Sequence, residues 1–133
     1  MRSLTKNVYK IEEFLSNCHR LHDIIAVSET KLSQYNINKI HLTNYHFLCI
    51  NSHTTAGGVG LKFIKLDSNY YVRTDLEFHT NDCENLWIEL TYKSDKSNLT
   101  IGVIYRHPAH DIKSFQAEFN KTLIKFSQNK ENN

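Results

Sequence analysis

Asp23-Ile24-Ile25-Ala26-Val27-Ser28-Glu29-Thr30-Lys31-Leu32 is the stretch on which the fold turns. Four apolar residues in a row, most of them β-branched, read as a strand buried on both faces, and the run ends abruptly in a lone acid. Strand tips are rigid and open onto crevices, which is where α/β proteins place chemistry. Glu29 is therefore the first candidate for a functional residue, although taken alone it also reads as a solvated acid at a strand terminus.

Upstream, Val8, Ile11, Leu15 and Cys18 recur at helical spacing, Phe14 widens the stripe and Asn7 stands as a cap, which predicts an amphipathic helix over 7–21. Leu21 is expected at its interface with the sheet. Downstream, 33–44 is polar and Asn-rich and reads as loop with one irregular turn. Two strands follow, Tyr45 to Ile50 and Val59 to Lys65. Thr54-Thr55-Ala56-Gly57-Gly58 lies between them as a hairpin turn, its glycines supplying positive φ.

A further strand runs through Tyr70 to Arg73. Leu86 to Tyr92 and Leu99 to Tyr105 form a second hairpin, whose later strand has the continuous apolar character of a central strand and stops before Pro108. The last element is a helix capped by Asp111, with Ile112, Phe115, Phe119, Leu123 and Phe126 on one face and a frayed tail from Ser127 to Asn133. The expected fold class is α/β (α+β): one mostly antiparallel sheet of about six strands with two helices packed on one face.

The 133 residues fit one domain, 1–133, and nothing in the composition divides them. A formal net charge of +2, with scattered Lys and Arg, argues neither for nor against nucleic acid. Cys18, Cys49 and Cys83 are odd in number and far apart, which disfavours a disulfide framework and a thiolate zinc site and points to a reducing compartment. No apolar leader and no membrane-length apolar run is present, so the chain reads as cytoplasmic or nuclear, with no membrane partner. His107 and His110 stand three apart across a proline, and His19, His22 and Asp23 at a helix end. Neither spacing has metal-site geometry, and both sets read as structural.

Five pieces in order resemble the endonuclease domain of non-LTR (LINE-like) retrotransposons, within the endonuclease/exonuclease/phosphatase superfamily. Arg2-Ser3-Leu4 with Asn7 resembles that family's arginine-serine-leucine segment, and Asp23 to Leu32 its "DIIAxxETxL" strand. Ala56 to Leu61 resembles its glycine-rich hairpin, Glu84-Asn85-Leu86-Trp87-Ile88-Glu89-Leu90 its acid-then-LW strand, and Ile101 to Pro108 its "YRPP"-type motif. The resemblance implies a Mg²⁺-dependent phosphodiesterase that nicks DNA, on a four-layer sandwich of two facing sheets. It implies Glu29 as the Mg²⁺ ligand, Tyr105 as a hydrogen-bonding group beside the scissile phosphate, and Glu84 as a supporting acid behind the metal site.

The chain departs from the family pattern as well. The strand that precedes the arginine-serine-leucine segment is missing, and no Gly-Asp-x-Asn or Ser-Asp-His occurs. The resemblance thus covers roughly the first half of the domain and one of its two sheets. A general base, worth about 10²–10⁴-fold, is not supplied. The expectation is little or no nuclease activity from this polypeptide alone, weak Mg²⁺ binding, and self-association through an uncovered apolar sheet face. The alternative is a non-catalytic DNA-binding or protein-interaction module on the same scaffold.

Overall fold

The computed structural model describes residues 4–28, 30, 32, 37–50, 61–78, 80, 83–92, 97–109 and 111–131. The elements are helix α1 (Leu4–Ser16), strands β1 (Ile24–Val27), β2 (Tyr45–Cys49), β3 (Leu61–Lys65), β4 (Asn69–Val72), β5 (Cys83–Thr91) and β6 (Asn98–Arg106), and helix α2 (Ile112–Glu131). Single 3₁₀ turns stand at Ile37–Lys39 and Thr74–Leu76.

The strands form two separate three-stranded antiparallel sheets, ordered β1-β3-β2 and β4-β5-β6. This corrects the expected single sheet of six with both helices on one face. Alternation along β3 supplies the reason. Phe63 and Ile64 are both fully buried and point to opposite faces. Phe63 packs with Leu4, Ile11 and Leu15 of α1, whereas Ile64 packs with Ile88 and Leu90 of β5. Since β3 and β5 are each the middle strand of their sheet, this contact can only be made face to face.

On its outer face the second sheet carries Cys83 and Trp87, packed against Phe115, Phe119 and Phe126 of α2. The layers therefore run α1, first sheet, second sheet, α2. Between the two sheets Ile24, Leu48 and Ile64 pack with Tyr70, Ile88, Leu90 and Ile101.

Other expectations are corrected in the same way. β1 is an edge strand, half-buried with Ala26 exposed, and burial on both faces falls instead to the middle strands, Phe63 and Ile64 of β3 and Cys83 to Leu90 of β5. β5, not β6, is central in the second sheet. α1 starts at Leu4, whose N–H donates to the Thr30 carbonyl at 3.1 Å, so the helix start is tied to the chain just past β1. Phe14 and Leu21 are exposed.

α2 runs on to Glu131 where a frayed tail was expected. Its inward stripe is the buried Thr122 with the half-buried Phe115, Phe119 and Phe126. Ile112 and Leu123 lie exposed beside it, and the Thr122 hydroxyl donates to the Leu76 carbonyl at 3.2 Å. Asp111 caps the helix as expected, accepting the Lys113 N–H at 3.1 Å. The Gly57-Gly58 turn lies outside the described residues, but β2 and β3 do pair in antiparallel register, Phe47 opposite Phe63.

Candidate functional site

Even-numbered residues of β5 face the first sheet and odd-numbered ones face α2, so Glu84 shares its face with Ile88 and Leu90. Tyr105 of β6 stands directly opposite Glu84 in the ladder. The alternation carries past the strand end to His107, whose Nε2 lies 3.5 Å from Glu84 Oε1. The His107 ring meets the Tyr105 ring edge-on, centroids 5.2 Å apart and planes at 84°. Two residues nominated by the sequence are thus brought together with a third, His107, which the sequence alone reads as structural.

Burial makes this cluster chemically unusual. The Glu84 side chain is 7% exposed and that of His107 14%. Glu84 Oε2 is buried and finds no hydrogen-bond partner among the described residues. A desolvated carboxylate oxygen without a donor costs on the order of 1–3 kcal/mol, so the position favours a partner that would satisfy it.

The contrast with Glu89, five residues along the same strand and on the other face, separates the two roles. Glu89 receives Arg73 Nη1, Asn98 Nδ2 at 2.8 Å and Thr100 Oγ1 at 3.4 Å. Burial alone would push its carboxyl up, yet hydrogen bonds from Tyr71, Arg73 and Asn98 hold it below the usual carboxylate range. Arg73 also forks onto Asp75, with Nε to Oδ1 at 2.8 Å and Nη2 to Oδ2 at 2.6 Å, and that hydrogen bonding lowers the Asp75 carboxyl. Glu89 is saturated and ties β4 to β5 to β6. Glu84 is not saturated.

Where the cluster sits follows from the register. Lys65 ends β3, and a short turn leads to Asn69, which pairs with Thr91 at the end of β5. At this end Asp23, Lys65, Asn69, Leu90 and Tyr92 line a cleft of about 240 Å³, with Lys65 Nζ 3.2 Å from Asp23 Oδ1. The other end of the sandwich holds Val27 opposite Leu61, and Glu84 opposite Tyr105. β1 therefore runs toward the end that carries Glu84, Tyr105 and His107.

Glu29, the nominated metal ligand, lies outside the described residues, as does His110. Its neighbour Thr30 is buried, and Thr30 Oγ1 is the second buried polar side-chain atom without a partner among the described residues. Of the other set-aside histidines, His22 stacks on Phe14 at 5.9 Å and its carbonyl accepts the Tyr45 hydroxyl at 2.7 Å, both structural roles.

The donor chemistry suits a cation. Glu84 Oε2 is a hard oxygen donor of the kind Mg²⁺ takes, although among the described residues no three His, Cys, Asp or Glu side chains converge. Among those residues no helix is long and apolar enough to cross a membrane. Comparisons with family models, with curated proteins and with solved structures gave no match for this chain.

Proposed function

We propose that this chain carries metal-binding and phosphate-binding parts of a Mg²⁺-dependent DNA endonuclease of the endonuclease/exonuclease/phosphatase type. The observation that supports this most is the buried, under-partnered Glu84 facing Tyr105 across the β5–β6 ladder, at the end of the sandwich toward which β1 runs. Two sheets face to face also occur in the whole domain that the chain resembles, although the resemblance gave this chain only one of them.

In this reading Glu29 holds Mg²⁺, which when bound neutralises the scissile phosphate. The Tyr105 phenol donates a hydrogen bond to a phosphate oxygen, and Glu84 orients the groups behind it. No Gly-Asp-x-Asn or Ser-Asp-His occurs in the 133 residues, so a base that activates water is not among the groups assigned.

The test is nicking of supercoiled plasmid by the chain, in Mg²⁺ against EDTA, beside Glu29→Ala. The expected result is trace Mg²⁺-dependent nicking or none in the wild type, and Mg²⁺-dependent DNA binding that Glu29→Ala weakens. DNA affinity indifferent to both Mg²⁺ and Glu29→Ala overturns the proposal. That outcome supports a second reading, a non-catalytic DNA-binding module, favoured by Lys113, Lys121 and Lys125, which lie exposed along one side of α2.

A further inference from the structure

We propose that Glu84 and His107 form a binding site for a borderline divalent cation of the zinc class. The ion differs in class from the Mg²⁺ assigned to Glu29, and its binding does not depend on whether the chain cleaves DNA.

Distance is the first argument. A hydrogen bond between an imidazole N–H and a carboxylate brings nitrogen and oxygen to about 2.7–3.2 Å. Bonds of about 2.0–2.2 Å from a metal to carboxylate oxygen and 2.0–2.1 Å to imidazole nitrogen, at a tetrahedral angle, hold the two donors about 3.4 Å apart. Glu84 Oε1 and His107 Nε2 are 3.5 Å apart. The pair is spread beyond hydrogen-bond length and matches the edge of a coordination tetrahedron.

Preorganisation is the second argument. The Glu84 backbone is fixed in the middle strand of its sheet, and the Tyr105 ring edge sets the plane of the His107 imidazole. Both side chains are largely buried, so little rotamer freedom remains to be lost on binding.

Charge is the third. Glu84 Oε2 is buried and without a partner among the described residues, so a carboxylate there gains from a cation more than an exposed acid does. An imidazole nitrogen is a good donor to Zn²⁺ or Co²⁺ and a poor one to Mg²⁺, which fixes the class of ion. Two protein donors leave coordination positions for water or for an oxyanion.

Titration of the intact chain with Co²⁺ in excess Mg²⁺, without DNA, tests this. Followed by NMR, Co²⁺ is expected to shift or broaden the His107 ring signals ahead of those of His19, His22, His41 and His46, which serve as internal controls in the wild-type protein. Glu84→Gln, which keeps the shape and removes the charge, is expected to weaken that event at least about tenfold. If His107 responds no earlier than the other imidazoles, or Glu84→Gln leaves its response unchanged, the site does not exist. Loss of nicking or of DNA binding bears on the endonuclease reading alone.

Discussion

The indole of Trp87 covers Gly102, its direct partner across the β5–β6 ladder: a Cβ built on Gly102 would stand 2.4–2.7 Å from three ring carbons. The ring is held from its other side, because Trp87 Nε1 donates to Asn85 Oδ1 at 3.0 Å, and Asn85 in turn brackets the Phe78 backbone. Neither partner can give way cheaply. Gly102→Ala is expected to destabilise by about 1–3 kcal/mol, through displacement of the indole into the Phe115–Phe119 layer. Trp87 is the chain's single tryptophan, so urea unfolding read by its fluorescence measures the loss directly.

The Glu89 cluster makes a prediction about acid. Its carboxyl is held below the ordinary carboxylate range, so its contribution to stability is present above the unfolded value of about 4.3 and is lost as pH falls through the lower folded value. Asp75, lowered by hydrogen bonding to Arg73, works in the same direction. The urea midpoint of the wild type is therefore expected to drop steeply from about pH 5 to pH 3. Glu89→Gln should lower it at pH 7 by the equivalent of about 1–3 kcal/mol and flatten the acid limb. Parallel wild-type and variant curves across that range would show that the cluster is not the titrating element.

Much of this was legible in the sequence, for reasons that differ by element. The β5–β6 pairing, both helices and the Asp111 cap rest on local periodicity and turn chemistry, which a short window contains. The division into two sheets was not legible, because it depends on which faces meet. Ile64 and Ile88 look alike in sequence whether they belong to one sheet or to two. The same limit hid the edge position of β1, since a run of apolar residues reads as central whether or not a neighbour covers it.

Within the candidate site, Glu84 and Tyr105 could be nominated from motifs, but their pairing could not, because the expected strand began at Leu86 whereas β5 begins at Cys83 and sets Glu84 opposite Tyr105. His107 was missed because its neighbour Pro108 directed the reading to a loop. The available signal was the alternation, which places 105 and 107 on the same side of an extended chain.

The Asp111 cap is a single bond, Lys113 N–H to Asp111 Oδ1, and it satisfies one of the orphan donors at the start of α2. Asp111→Ala is expected to cost about 1 kcal/mol, and Asp111→Asn to restore nearly all of it, since Asn caps as well as Asp does. Thermal melts of the three proteins, differing by a few degrees, decide this. An Asn variant as unstable as the Ala variant would mean that charge, not capping, is what the position supplies.

The three cysteines should differ in reactivity. Burial in the α1 cluster pushes the Cys49 thiol up to about 11, so at pH 8 it is almost wholly protonated. Cys18 and Cys49 are both half-buried, so the raised Cys49 thiol decides between them: alkylation by iodoacetamide is expected to label Cys18 first and Cys49 much later, with mass mapping as the readout. Equal rates at the two positions would show that the face of β2 against α1 opens faster than the chemistry.

The separation into two sheets has a kinetic side. β4, β5 and β6 pair only with their neighbours along the chain, so that sheet closes through short connections. The β1–β3 ladder must instead join Ile24 to Ile64 across a long intervening segment that includes β2. Loop-closure entropy therefore orders the assembly: the meander around Trp87 condenses first, and α1 with β1 docks onto it afterwards. Pulsed hydrogen exchange during refolding should find the amides of Leu86, Ile88 and Val103 protected before those of Ile25 and Val27. The part of the molecule that offers Glu84, Tyr105 and His107 would then be in place while the strand leading to Glu29 is still finding its register.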